Sequence, residues 1–175
     1  MPTAFITHPS FLQHEMGPYH PECPERLMAI SDRMIAAGID PYLRHYTAPA
    51  ATREQVARVH GAAYLDELEA ASPEEGLHYL DPDTALNPHT LTAARHAAGA
   101  VVLGVDLVMR GETATAFCAV RPPGHHAERR RAMGPGSRGG TRENCVPRRP
   151  AVRRCCGPAT ASCRWSCSPA ASRST

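Results

Sequence analysis

Apolar residues recur along this chain at two spacings, which predict different elements. The short β-prone run Ala4–Thr7 is typical of a strand that opens a sheet. After a loop rich in Pro and His, apolar residues recur at helical spacing at Leu27, Ile30 and Met34. Pro24 suits the first turn of a helix and Gly38 its end, so we expect a helix between them.

Two further helices are predicted by the same pattern. Thr52 and Gln55 have the spacing of a capping box, which predicts a second helix that runs to residue 72. The strongest helical pattern runs from Leu91 to about Arg110 and gives a broad apolar face. We expect Thr90 to cap this third helix.

A mostly apolar run of β type, Thr115–Val120, leads directly into Arg121-Pro122-Pro123-Gly124-His125-His126. Helices that alternate with buried strands predict an α/β fold with a parallel sheet. In such sheets the chemistry lies at the carboxyl ends of the strands. We therefore expect an active site immediately after Val120.

Composition divides the chain near Gly134. Residues 1–133 carry 11 Arg and 16 acidic residues, whereas residues 134–175 carry 8 Arg and a single acidic residue, Glu143. All ten His lie in the first segment, and the second has no Leu, Ile, Met, Phe or Tyr. Such a segment cannot bury enough apolar surface to offset its chain entropy. We expect one domain portion, 1–133, followed by a foreign or disordered tail, 134–175.

Three interpretations of the tail stay open. The 19 basic residues of the chain are all Arg, which suits a GC-rich gene that is read out of frame after a frameshift. The tail could instead be a disordered basic arm, although its Arg do not align on a helical face, and nucleic acid is not an expected partner. Five Cys could form a metal module, but they include no C-x-x-C pair and no His accompanies them.

The chain shows no sign of a membrane or secretory protein. No run of 18 or more apolar residues occurs, so no membrane span is predicted. The start of the chain, MPTAFITHPSF, lacks the build of a signal peptide. We expect a cytoplasmic protein.

The adjacent residues His125 and His126 are the candidate catalytic groups. Imidazole titrates near neutral pH and suits proton transfer to water and to a leaving amine. Two prolines restrict the turn before them, and Gly124 permits a close backbone approach. A surface pair of His in a Pro-rich turn is the alternative for any two adjacent His, but the whole heptapeptide after a predicted strand favours a catalytic pair.

The stretch RPPGHHA at 121–127 resembles the tandem-histidine signature of the histone deacetylase family, which includes bacterial deacetylase-like amidohydrolases. Other stretches agree in order and spacing: HPECPER at 20–26, VH with YL at 59–65, LDPDT at 80–84 and AAGA at 97–100. The resemblance covers residues 1–133. It implies the N-terminal portion of an arginase/deacetylase-type open, mostly parallel sheet with flanking helices.

The resemblance also implies roles. In this family a zinc ion polarises the acyl carbonyl and activates water while the histidine pair, here His125 and His126, handles protons. Asp83 would accept N–H bonds from the substrate, and Gly124 would line the channel for its stem. The substrate would be acetylated lysine, a polyamine or a small acylated amine. Asp83 could instead be a turn-former, with Asp81 competing for the alignment.

The family's zinc ligands, a D-x-H motif and a later Asp, all follow the histidine signature. After His126 this chain contains no His, Asp or Tyr, and only Glu128 and Glu143 are acidic. No metal ligands are therefore predicted in this chain. We expect a truncated, inactive form of a zinc-dependent deacetylase. The alternative is a non-enzymatic binding module with a basic disordered tail.

Overall fold

The computed structural model describes residues 2–124, 127–132 and 164–165. Their central element is a sheet in the order β2-β1-β5-β6. Strands β1 (Thr3–Thr7), β2 (Leu43–Thr47) and β5 (Thr115–Cys118) are parallel, and the two-residue strand β6 (Arg164–Trp165) lies antiparallel to β5. The α/β class and the parallel sheet are confirmed. Strand β2 was missed, because its half-exposed residues lack an apolar pattern.

Helix α1 (Glu25–Ala36) begins directly after Pro24, as predicted. Gly38 adopts a left-handed backbone, with φ of 65°, and ends the helix. The N–H of Ile39 then donates to the carbonyl of Met34 at 3.0 Å, which satisfies one of the last carbonyls of the helix.

The predicted second helix is two helices, α2 (Arg53–Ala57) and α3 (Ala62–Ala71). The Thr52–Gln55 capping box is present, so the start was predicted correctly and the continuity was wrong. The break has a physical cause: the N–H of Gly61 donates to the carbonyl of Arg129 at 2.9 Å instead of continuing the helical ladder. Nδ1 of His60 donates to the carbonyl of Glu128 at 2.9 Å. The segment after the histidine signature therefore docks at the interruption.

Helix α4 (Thr90–Met109) is the long apolar helix, and it packs on β1 and β5. Thr90 is its first residue, not its cap: its hydroxyl bonds the backbone and side chain of Asn87. By length and composition α4 could cross a membrane, but a core helix of a soluble protein meets the same criteria.

Two glycines set how closely α4 approaches its neighbours. A Cβ built on Gly99 would lie 1.9 Å from the carbonyl oxygen of Pro49, so only glycine fits there. A Cβ on Gly104 would lie 3.1 Å from the Cβ of Ala116 on β5. The backbone of α4 thus lies almost directly on the sheet and on the segment after β2.

Between α3 and α4 lies an antiparallel hairpin, β3 (His78–Asp81) and β4 (Thr84–Leu86). No strands were predicted for this stretch from the sequence. The core between sheet and helices is made of small and large apolar residues: Ala4, Phe5, Ile6, Phe11, Leu27, Ala48, Ala93, Ala100, Leu107, Ala116 and Ala119.

Candidate functional site

The segment after β5 is anchored by a buried arginine. The Arg121 side chain is only 2% exposed and forms a double ion pair with Glu22: Nε donates to Oε1 at 2.6 Å and Nη2 to Oε2 at 2.7 Å. Nη1 of Arg121 donates to the carbonyl of Phe11 at 2.7 Å. Bidentate hydrogen bonding of this kind fixes both the position and the orientation of the Arg121 side chain. The start of the signature is therefore tied to the N-terminal loop at two points.

Glu22 is the centre of this buried network and is 5% exposed. Nε2 of His14 lies 3.5 Å from its Oε2, and Nη1 of Arg26 lies 3.5 Å from its Oε1. Burial alone would raise the pKa of this carboxyl. The bonds from His14 and Arg121 and the positive charge of Arg121 outweigh burial and lower the pKa to about 2. Glu22 is therefore a carboxylate at neutral pH.

The two aspartates of the hairpin turn, Asp81 and Asp83, make different contacts. Asp81 makes the turn: its Oδ1 accepts the N–H of Asp83 at 2.8 Å, and its Oδ2 accepts the hydroxyl of Thr84 at 2.8 Å. Asp83 faces the N-terminal loop, where its Oδ1 lies 3.1 Å from Nε2 of His20. Because Nδ1 of His20 accepts the N–H of Glu22 at 3.1 Å, its Nε2 carries the proton and donates to Asp83.

These elements surround a cavity of about 700 Å³ between α3, α4, the hairpin and the start of the signature, which we call the α3–α4 cavity. Its lining is mostly apolar and includes Val56, Tyr64, Leu65, Leu68, Leu91, Ala94, Ala98, Val101, Pro122, Pro123, Ala127 and Ala132. Asp83, Gly124, His14, Glu22 and His60 contribute polar groups.

The predicted site residues are placed as follows. Asp83 and Gly124 line the same cavity, so the structure brings these two predicted substrate-binding residues together. Asp81, the alternative to Asp83, serves the turn. Gly124 is exposed, and a Cβ built on it would meet no atom within 4 Å, so packing among the described residues does not require glycine there. The predicted catalytic pair, His125 and His126, lies outside the described residues, as does nearly all of the tail.

A zinc site does not fit the described residues. Across 2–124 and 127–132, no three His, Cys, Asp or Glu side chains form a group that could hold a metal ion. Glu22 and His14 are near each other, but Arg121 and Thr90 use their polar atoms.

Sequence analysis missed the roles of His14, Glu22 and Arg121. Glu22 and Arg121 both lie within the stretches that carry the family resemblance, and their residue types are complementary. Their pairing spans 99 positions, so no local pattern could reveal it. His20 contacts Asp83 of the hairpin turn, and His60 contacts the carbonyl of Glu128.

Three features together indicate the class of this protein: the parallel sheet, the signature after β5 and the N-terminal loop that the Glu22–Arg121 ion pair joins to it. Residues 20–135 match the histone deacetylase domain family, and the chain belongs to that family. The crystal structure of the HDA15 HD domain is similar, with a TM-score of 0.69 and 33% identity, over 76% of this chain and 39% of that chain.

Individual relatives agree with this assignment. The chain is 32% identical over 149 residues to the histone deacetylase-like amidohydrolase of Pseudomonas aeruginosa. This alignment covers 75% of this chain and 39% of that protein. It is 35% identical over 124 residues to the polyamine deacetylase HDAC10 of Mus musculus, over 65% of this chain and 18% of that protein. The chain therefore spans about two fifths or less of the length of these relatives.

Proposed function

We propose that this chain is the N-terminal part of a zinc-dependent amidohydrolase that removes acyl groups from amines. The observation that supports this most is that Pro122 to Gly124, which follow β5, and Asp83 line the same cavity. Acetylated lysine, an acetylated polyamine or a small acylated amine fits the chemistry, and a relative named as a polyamine deacetylase supports the class.

The described residues would contribute substrate binding and loop placement. The Asp83 carboxylate would accept N–H bonds from the substrate, with His20 fixing its orientation from behind through the 3.1 Å contact. The Glu22–Arg121 pair would fix where the signature leaves the sheet. His125 and His126, which directly follow Gly124 in the sequence, would transfer protons to water and to the leaving amine.

The zinc dependence of the proposal comes from the family. Zinc, when bound, would polarise the acyl carbonyl and activate water. A catalytic zinc needs about three protein ligands. The described residues offer no such group, and no His or Asp follows His126. We infer that the ligands must come from a segment other than these 175 residues, and that this chain alone does not hydrolyse acyl amines.

The nucleotide sequence of the gene tests this proposal directly. Its sequence should be determined across the codons for residues 125–175 and well beyond. We expect that one inserted or deleted base restores a reading frame that encodes the D-x-H motif of the family. If no frame encodes this motif, the proposal that the chain derives from a complete zinc deacetylase is wrong.

A further inference from the structure

Two histidines that have no part in the proposed chemistry stack against each other beside the sheet. His8 directly follows β1, and His96 lies on α4. Their ring centroids lie 3.6 Å apart, and the ring planes are inclined by only 9°. Nδ1 of His96 donates to the carbonyl of Ala48 at 2.8 Å, so this ring also holds the segment after β2. The stack therefore joins the end of β1, the segment after β2 and α4.

His8 is also the N-cap of a short 3-10 helix, Pro9–Leu12. The backbone N–H of Ser10 donates to Nδ1 of His8 at 3.1 Å, and the Ser10 hydroxyl lies 2.8 Å from the same atom. An imidazole nitrogen that accepts an N–H bond carries no proton itself, so the proton of the neutral ring is on Nε2. The cap therefore depends on the neutral form of His8.

The short helix also positions the start of the histidine signature. Phe11 in this helix is fully buried, and its ring packs edge-on against His8 with a centroid distance of 6.1 Å. Its carbonyl accepts the bond from Nη1 of Arg121 at 2.7 Å. His8, the short helix and Arg121 therefore form one continuous series of contacts, which ends at the first residue of the signature.

We propose that His8 is a pH-sensitive cap, which holds the short helix against Arg121 while its ring is neutral and releases that helix in acid. A proton that binds the neutral ring must go to Nδ1, because Nε2 already carries one. The Ser10 hydroxyl can then accept a bond from Nδ1. The backbone N–H of Ser10, a residue only 4% exposed, loses its acceptor. The first turn of the short helix is thereby freed, together with the Phe11 carbonyl.

The groups around His8 favour the neutral ring near neutral pH. The ring faces His96 from α4 and the side chains of Ser10 and Phe11 from the short helix. Within the described residues it has no ion pair with a carboxylate, and burial and His96 both lower its pKa from 6.5. Release should therefore occur below pH 6.5. Because the pKa of Glu22 is about 2, the ion pair at the start of the signature persists over the same range.

Amide hydrogen exchange of the 175-residue chain, followed by NMR, tests the cap. The protection factor of the Ser10 N–H is the exchange rate in the unfolded chain divided by the rate in the folded chain at the same pH. Between about pH 7.5 and about pH 4.5 it should fall at least about fivefold, the fold change expected for the loss of a cap. An equal fall at Leu107, in the buried face of α4, would show general unfolding and overturn the proposal.

The side-chain signals of Arg121 test whether the release reaches the signature. The Nη1 signal should shift over the same pH range, because its acceptor is the carbonyl of Phe11. The Nε signal should not shift, because its acceptor is the Glu22 carboxylate. An Nη1 signal that does not depend on pH would contradict the link between His8 and Arg121.

Matched variants assign the pH dependence to His8. Asn is a preferred N-cap, and its amide oxygen accepts an N–H bond at every pH. In His8→Asn the protection factor of the Ser10 N–H should therefore change by less than about twofold over the same pH range. His45→Gln is the control, because His45 lies on β2 and pairs with Asp40, and it should keep the pH dependence of the wild-type chain. Wild-type pH dependence in His8→Asn, or its loss in His45→Gln, would overturn the proposal.

Discussion

Replacing Arg121 with Met should destabilise the chain more than any change of an exposed arginine. The change removes both bonds to the Glu22 carboxylate and the bond to the carbonyl of Phe11. A buried carboxylate then remains without its main partner. Breaking a buried ion pair in this way costs about 3–5 kcal/mol.

The pKa of Glu22 follows from the same network. The carboxyl pKa falls from 4.5 to about 2 in the folded chain. Because one pKa unit corresponds to ~1.4 kcal/mol, the network stabilises the ionised Glu22 by roughly 3 kcal/mol.

Urea unfolding followed by far-UV circular dichroism measures the loss. With a denaturant slope of ~1–3 kcal/mol per M, the midpoint for Arg121→Met should fall by about 1 M or more. Arg26→Met is the matched control: Arg26 also contacts Glu22, but at 3.5 Å and with 37% exposure. Arg26→Met should lower the free energy of unfolding by less than about 1 kcal/mol. Equal losses for the two variants would refute the reasoning.

Acid titration of stability tests the same carboxylate independently. The folded pKa of Glu22, about 2, lies below the unfolded value of 4.5. Its contribution is therefore fully present above the unfolded pKa and is lost as pH falls through the folded pKa. The difference in unfolding free energy between the wild-type chain and Glu22→Gln should stay constant above about pH 5 and shrink toward about pH 2. A difference that does not depend on pH would show that the charge of Glu22 is not what stabilises.

Two further predictions concern α4. Gly99→Ala should abolish cooperative unfolding in thermal circular dichroism, since its Cβ would lie 1.9 Å from the Pro49 carbonyl oxygen. Gly104→Ala, whose Cβ would meet a side chain at 3.1 Å, should be far milder, and equal effects would contradict the packing described. Burial and the stacked ring of His96 lower the pKa of His8 from 6.5. The unfolded chain therefore takes up the proton first, so stability should decline as pH falls below 6.5. In His96→Gln this decline in stability should be smaller. If the pH dependence of the unfolding free energy is the same in His96→Gln as in the wild-type chain, His96 does not lower the pKa of His8.

Local patterns predicted the elements that have strong local signals. The apolar spacing of α4, the Thr52 capping box and the left-handed glycine at the end of α1 all depend on residues close in sequence. The break between α2 and α3 could not be predicted, because it depends on the carbonyls of Glu128 and Arg129, almost 70 positions away.

The candidate site, like the fold, could be predicted from the sequence only in part. Its motifs could be found from the sequence because they resemble a family signature. The choice between Asp81 and Asp83 needed the turn geometry, and the pairing of Glu22 with Arg121 needed the tertiary fold. The roles of His125 and His126 stay predictions, because both residues lie outside the described part of the chain.

We propose that these 175 residues hold one part of a deacetylase site and that the zinc ligands lie outside them. The most direct test assays the purified chain for hydrolysis of an acetyl-lysine peptide and an acetylated polyamine, with bound zinc measured by mass spectrometry. The intact Pseudomonas amidohydrolase serves as the positive control. We predict no turnover and no stoichiometric zinc for the chain alone. Turnover by the chain that a hydroxamate inhibits would contradict the account.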